Sequence, residues 1–384
     1  MRGSWLSQTR CGGRLPDGTP HRRCRLMTDW ADPDALDLSD GETFDSLLDR
    51  ADTREKGHFF EFFAEGDELA HDPGLRLTHH GSEQWMGQTL NHDPAYWRAD
   101  TARERDFEER PVHPDYLLAC VMGITVEDLS EKGGYFLGRD DVTFHQPVTA
   151  GTPLSVTSTV VDTKTSSSRP QYGIVTWETE GRDRETGETL VSYRRTNMIP
   201  RREPAATDGG AVGEQDEDGP MLPDTPISPD GEYFEDFQAA LERADTENAA
   251  VAYRHERGRT MDDQLVAGLP LATLNTARQH HNRDEMADSP SGDIVAYGDV
   301  TRSVALAHAR SDEATYRERR FADEQFHDFV TLGDTVYGFT RVLDCDPDAG
   351  PERAGAVTFE HVAFNQDQTP VYSGRRTALI QRDT

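Results

Sequence analysis

The sequence predicts an α+β protein built from one module used twice, each module an antiparallel sheet wrapped around a single helix. Two observations carry this. Seven short matches recur in the same order in the two halves of the chain, and each half has one apolar helical stretch followed by four Val- and Thr-rich segments. The length agrees, because 384 residues accommodate two units of roughly 100–200 residues, each long enough to bury a core of its own.

The repeat is read residue by residue. Asn91 recurs as Asn275, and the same spacing pairs His71-Asp72-Pro73-Gly74 with His255-Glu256-Arg257-Gly258. It also pairs Val112-His113-Pro114-Asp115 with Ala296-Tyr297-Gly298-Asp299. With slight drift, Phe144-His145 matches Phe326-His327, Gly151 matches Gly333, Val175-Thr176-Trp177-Glu178 matches Val357-Thr358-Phe359-Glu360, and Arg194-Arg195-Thr196 matches Arg375-Arg376-Thr377. A period this long marks a duplicated domain rather than a solenoid of 20–50-residue repeats.

Residues 1–26 stand apart, with six arginines and one acid, Asp17. They lack the apolar core of a secretory signal. An Arg-rich targeting peptide is one reading; the one preferred is an extension before a natural start at Met27. A short helix is expected over Thr43–Arg50. Residues 58–63, His-Phe-Phe-Glu-Phe-Phe, read as a buried strand or packing element, with Tyr233-Phe234-Glu235-Asp236-Phe237 as a weaker counterpart. The modules then occupy 27–202 and 232–384. Residues 203–231, rich in Glu, Asp, Gly and Pro, form a solvated linker between them.

Within each module an apolar helical segment (82–90; 261–274) leads to the Asn motif. A helix follows: Asp115–Val126, with Leu117, Leu118, Val121 and Met122 on one face, and Asp299–Ala309, with Val300, Val304 and Ala307. Strands are expected at 142–148, 154–162, 172–180 and 189–199, and again at 325–331, 334–344, 354–364 and 370–382. Gly151 and Gly333-Asp334 mark turns.

Composition excludes several classes. A formal charge of −31 and a pI near 4.7 disfavour nucleic acid and anionic membrane as partners. No run of 18 apolar residues spans a bilayer. Only three of the 40 basic residues are lysines (Lys56, Lys132, Lys164), and abundant acid with scarce lysine suits a salt-accumulating cytoplasm. Cys11, Cys24, Cys120 and Cys345 form no CxxC, which points to a reducing interior without structural disulfides or a thiolate zinc site. Neither a P-loop, GxGxxG nor GxSxG is found. His79-His80 and His280-His281 are adjacent pairs, and neighbours rarely converge on one ion, so no metal is expected.

Chemistry concentrates at Asn275-Thr276-Ala277-Arg278-Gln279-His280, behind the apolar run Leu265, Val266, Leu269, Leu271 and Leu274. The first copy keeps Asn91 but has Tyr96 where His280 stands. This arrangement resembles the double hotdog fold of the MaoC-like, R-specific enoyl-CoA hydratases. In that family an Asp and, five residues later, a His sit on a loop before the central helix. With Val295-Ala296-Tyr297-Gly298 downstream, the motif is closest to the mesaconyl-CoA hydratase branch. The resemblance covers about residues 58–200 and 233–382. It implies reversible addition of water to mesaconyl-CoA, giving β-methylmalyl-CoA, with no cofactor beyond the CoA of the substrate. Two modules in one chain already make the pseudo-dimer of that fold, and a homodimer of such chains is compatible with it. The departure is Asn275 in place of the family acid, because an amide exchanges no proton.

His280 is the expected base, since an imidazole near neutrality takes a proton from water. The plain alternative is a surface histidine on a carboxylate. Asn275 would position water or substrate, or simply end the helix 261–274. The backbone N–H of Gly298, at a helix start, would stabilise an enolate oxygen, whereas Pro114 in the first module has no N–H to offer. Arg278 and Arg302 are candidates for the substrate carboxylate, the alternative being surface ion pairs. Tyr297, Asn91 and Tyr96 are expected to line the acyl pocket. Three rivals remain: a straight-chain enoyl-CoA hydratase, which needs no carboxylate-binding Arg; a thioesterase, which calls for an acid where Asn275 stands; and a non-catalytic acyl-CoA-binding protein.

Overall fold

The first module opens with strand β1 (Glu68–Arg76) and helix α1 (His79–Gln88), followed by helix α2 (Pro114–Leu129). Strands β2 (Tyr135–Phe144), β3 (Pro153–Thr165), β4 (Tyr172–Asp183) and β5 (Thr189–Pro200) complete it. The second module begins with helix α3 (Phe234–Glu247) and strand β6 (Val251–Thr260), then helix α4 (Gly298–Arg310). It ends with β7 (Thr315–Phe326), β8 (Thr335–Asp346), β9 (Ala354–Phe364) and β10 (Pro370–Gln381). These elements come from a computed structural model that describes Asp45, residues 51–203 and residues 225–383. The extension 1–26, the Thr43–Arg50 helix except Asp45, and linker residues 204–224 lie outside the described residues.

The ten strands pair in the order β1-β3-β4-β5-β2-β7-β10-β9-β8-β6, so the second half mirrors the first. The modules meet where β2 runs antiparallel to β7, Val142 opposite Phe321 and Thr143 opposite Arg320. Along β3 and β8 every second residue is buried, the period-2 signature of a sheet with one face on a core. Helices α2 and α4 fill that concave side. Each half was expected to bury its own core. The largest apolar cluster instead spans both, joining Leu118 and Val121 of α2 to Val300, Val304 and Phe321 of the second module. Residues 58–63 are a packing element rather than a strand: a single 3-10 turn, Phe60–Phe62, sets the Phe63 ring 5.2 Å from Trp177.

Each module has five strands, not the expected four. β1 and β6 are the outermost strands, and β7 starts ten residues before its expected beginning. The helical segment 261–274 is also irregular. It runs as a π-turn, Gln264–Gly268, and then a short α-turn, Leu269–Ala272.

That turn delivers the motif. Leu274 has φ +64° and Asn275 N–H bonds back to Pro270 O at 3.0 Å. The first module repeats this with Leu90 at φ +63° and Asn91 N–H on Met86 O. These are Schellman-type helix ends with leucine at the left-handed position that glycine normally occupies, at roughly 1–2 kcal/mol of strain. The left-handed residue is therefore Leu274, and Asn275 is the next one, already outside the helix.

Candidate active site

A cavity of about 350 Å³ lies between the modules' two helices. One wall comes from the second module: Asn275, His280, Tyr297, Gly298 and Thr301. The facing wall comes from the first: Met122, Val126 and Ser130 along one face of α2, with Tyr135, Phe136 and Asn197 from the sheet. Phe326 and Val330 close a third side.

His280 is 3% exposed and follows the Asn275 turn on a single 3-10 turn, Arg278–His280. Its Nδ1 lies 2.7 Å from Val295 O. A carbonyl only accepts, so Nδ1 carries the proton and Nε2 is left as a bare acceptor. No partner of Nε2 is found among the described residues. Burial pushes the imidazole pKa down to about 4, against a smaller upward pull from the Val295 carbonyl. The ring is therefore neutral at pH 7, in the form that can take a proton.

Asn275 spends its side-chain oxygen on Ala277 N–H at 3.1 Å, an Asx turn that the first module reproduces with Asn91 and Asp93. The amide –NH2 is what it has to offer the cavity. Gly298 occupies the first turn of α4, where N–H groups have no intrahelical acceptor. Tyr297 precedes it and makes no side-chain cap. A Cβ on Gly298 would meet the Phe326 and Phe136 rings at 3.0–3.2 Å, so glycine permits this close packing. Tyr297 itself is buried and its hydroxyl donates to Ala119 O.

The other expected site residues lie elsewhere. Arg302 does not line the cavity. It is wholly buried and bonded to Asp115 (2.7 Å) and Asp299 (3.0 Å), with Glu324 at 3.6 Å. Arg139 bonds Asp299 and Glu324 in the same network, and Arg310 joins Asp115 to Glu318. The position of Arg302 near the start of α4 suggests the site, but its side chain points away from the cavity to Asp115 of α2 and Glu324 of β7. Arg278 is half exposed and paired with Glu285 at 2.6 Å, on a groove that adjoins the cavity through Gly134, Tyr135 and Gln279 without itself lining the cavity. Asn91 and Tyr96 do not reach this cavity either, because the first module completes it with α2 and β2, not with its own Asn motif. Asn91 instead lies against His113, and Tyr96 lines a smaller cavity of about 130 Å³ with Pro114, Phe144 and Arg317. That second cavity occupies the mirror position of the first.

Arg169, Asn197, Gln279 and Asp328 also line the larger cavity, unexpected from the sequence, and so does His327, whose repeat in both modules points to the fold. Arg169 stands at the cavity's exposed edge with its guanidinium 4.3 Å from the Tyr135 ring centre. His327 is held by Ser373 as His145 is held by Ser192, so this matched pair serves the fold in both modules. Among the described residues no three His, Cys, Asp or Glu side chains converge as a metal site. No helix among them is long and apolar enough to cross a membrane.

Comparison with known proteins decides the family. The mesaconyl-CoA hydratase family model matches residues 29–382. This chain belongs to that family. A mesaconyl-CoA hydratase from Haloarcula hispanica is 93% identical over 356 residues, covering 93% of this chain and 99% of the relative. One from Cereibacter sphaeroides is 27% identical over 318 residues, 79% and 90% of the two chains. Among solved structures, a putative MaoC domain protein dehydratase from Chloroflexus aurantiacus superposes with TM-score 0.73 at 20% identity, covering 87% of this chain and all of that one. A Mycobacterium tuberculosis protein described as having a double hotdog fold gives TM-score 0.66 at 19% identity, over 84% and 98%. The double hotdog architecture of this mesaconyl-CoA hydratase family member is thus shared with structures of low sequence identity.

Proposed function

We propose that the protein reversibly hydrates mesaconyl-CoA to β-methylmalyl-CoA. The observation that carries this reading is the family match along nearly the whole chain, and the site supplies the means. His280 Nε2 takes a proton from water as the oxygen attacks C3 of the unsaturated thioester. The electron pair moves to the thioester oxygen, where the N–H groups opening α4 at Gly298 stabilise the enolate. The Asn275 –NH2 holds the water. The protonated His280 then returns its proton to C2. One group serves both transfers, which fits a ring that bonds no carboxylate among the described residues. The reaction needs no cofactor besides the substrate's own CoA, and the carboxylate-rich, lysine-poor surface suits a salt-rich cytoplasm.

The test is turnover of mesaconyl-CoA and crotonyl-CoA side by side in molar KCl, with products identified by mass. A gain of one water on mesaconyl-CoA, weaker action on crotonyl-CoA, and loss of both in His280→Ala support the assignment. Preference for crotonyl-CoA would move it to a straight-chain hydratase. Release of free CoA would move it to a thioesterase.

A further inference from the structure

Arg195 sits on β5 and is completely buried, yet among the described residues it pairs with no carboxylate. Its guanidinium bonds only to hydroxyls, Thr125 Oγ1 at 3.1 Å and Ser130 Oγ at 3.3 Å, and its Nε has no partner. Its guanidinium also lies over the Trp177 ring. Asp299, whose charge it feels, is already held by Arg139 and Arg302. A buried charge without a counter-ion is costly.

The second module shows what a completed version looks like. Arg376 is the repeat partner of Arg195, equally buried, and bonds to both Glu313 and Glu318. The positions of those acids in the first module are held by Leu129 and Phe136. Both modules have the arginine, and only the second has its acids. On this side of the pseudo-dimer the missing anion would fall at the cavity, because Phe136 and Ser130 line it. Asn197, two residues along β5, lines it too. It is 6% exposed, and among the described residues no side-chain hydrogen bond fixes its amide, which leaves the –NH2 that a carboxylate needs free to turn to the cavity.

We infer that Arg195, acting through Ser130 together with Asn197, holds the free carboxylate of the substrate on the first module's wall of the cavity. In mesaconyl-CoA that carboxylate is attached to C3, the carbon that water attacks. It therefore lies inside the cavity opposite His280, not at the mouth where Arg169 stands. The first module, which lacks a base of its own at this cavity, supplies the specificity. Arg195 is a positioning residue; Ser130 and Asn197 make the direct contacts.

The inference rests on the hydration reading, so its test uses binding instead of turnover alone. Succinyl-CoA and butyryl-CoA differ in the carboxylate and cannot be hydrated. Their inhibition constants are measured on the wild-type chain and on Arg195→Gln, Asn197→Ala and Ser130→Ala. The wild type should prefer succinyl-CoA by roughly ten- to a hundredfold, the size of a charge-assisted contact. Each variant should erode that preference, Arg195→Gln the most, and KM for mesaconyl-CoA should rise more than kcat falls. If Arg195→Gln does not fold, the two lining variants carry the test, because each must still reduce the ratio. A folded set that keeps the full preference overturns the inference, as does loss of the preference in Arg169→Gln alone. A wild-type chain that hydrates mesaconyl-CoA without preferring succinyl-CoA also overturns it, leaving the hydratase standing. If mesaconyl-CoA is not hydrated at all, the functional reading itself is what has failed.

Discussion

In the second module His280 faces Tyr297, their ring centres 5.6 Å apart; in the first the same two positions hold Tyr96 and His113, 4.6 Å apart. The pair has exchanged places. Both imidazoles are buried and both are pushed down in pKa by that burial, to about 3 for His113 and about 4 for His280. Electrostatics therefore does not separate the two sites; hydrogen bonding does. His113 caps α2 by accepting the Asp115 N–H on Nδ1, and its Nε2 lies 3.0 Å from the Asn91 amide nitrogen. Nδ1 thus holds the helix start and Nε2 is covered by the Asn91 side chain, so neither nitrogen is open to a substrate. His280 anchors on a carbonyl one step earlier and leaves Nε2 bare. The helix start follows suit, with Pro114 and a capped end in one module and Gly298 and an uncapped end in the other. One backbone has thus produced a sealed joint and an open site by exchanging a Tyr and a His.

The sharpest way to break this comparison is His280→Ala. Loss of a positioned base should lower kcat/KM by about 10²- to 10⁴-fold, with the fold retained by circular dichroism. A variant with substantial turnover would show that the bare Nε2 is not the base. Next is Arg302→Met. Removing one member of the buried ionic network that ties Asp115 of the first module to Asp299 of the second leaves carboxylates uncompensated, and should cost about 3–5 kcal/mol in denaturant unfolding. If Arg302 instead served the substrate, KM would rise while stability held. Third is Gly298→Ala. The added methyl would displace Phe326 or Phe136, and a shift of this kind at the helix start should cost roughly ten- to a hundredfold in turnover. Pro114→Ala, at the mirror position, should show no comparable loss.

Much of this comparison was legible before the structure. The repeat exposed the pseudo-dimer, the Tyr96/His280 difference marked the second module, and Pro114 against Gly298 pointed the same way. What escaped has a common physical cause. β1 and β6 are outermost strands with few buried residues, so they carry no clean alternation. β7 reads as a charged surface segment because Glu318 and Glu324 are buried in ion pairs instead of facing water. Arg302 is a substrate candidate in the sequence for a similar reason: a single sequence does not reveal that one of its counter-charges, Asp115, comes from 187 residues away. Asn197 and the unpaired state of Arg195 were equally hidden, since both depend on which residues of α2 and β5 face each other.

Acid titration sharpens the comparison less violently. His280 and His113 have folded-state pKa values of about 4 and 3, below an unfolded value near 6.5. Below that pH the unfolded chain takes up protons that the folded chain refuses. Their stabilising contribution is complete above pH 6.5 and is lost as pH falls toward the folded values, at up to about 1.4 kcal/mol per pH unit for each ring. Both modules contribute to this curve, the second more, because burial also lowers His308 and His361. Activity should follow His280 alone: kcat/KM should keep its acid limb near pH 4 in His113→Gln, although that variant's stability depends less on pH. An acid limb that moved with His113 would place the working imidazole in the wrong module.

The smallest expected effect is at Arg278. It lies within the motif, two residues before His280, which is why the sequence nominates it. Yet the side chain is half exposed and held by Glu285. Exposed ion pairs contribute little, so Arg278→Ala should change stability by no more than about 0.5 kcal/mol and leave KM for mesaconyl-CoA nearly unchanged. The measurement matters because a rise in KM by an order of magnitude would mean that the segment 278–286 folds over the acyl group when substrate binds. The open cavity between the modules would then be the state before closure. The asymmetry between the modules would lie in a moving loop as well as in the exchanged Tyr and His.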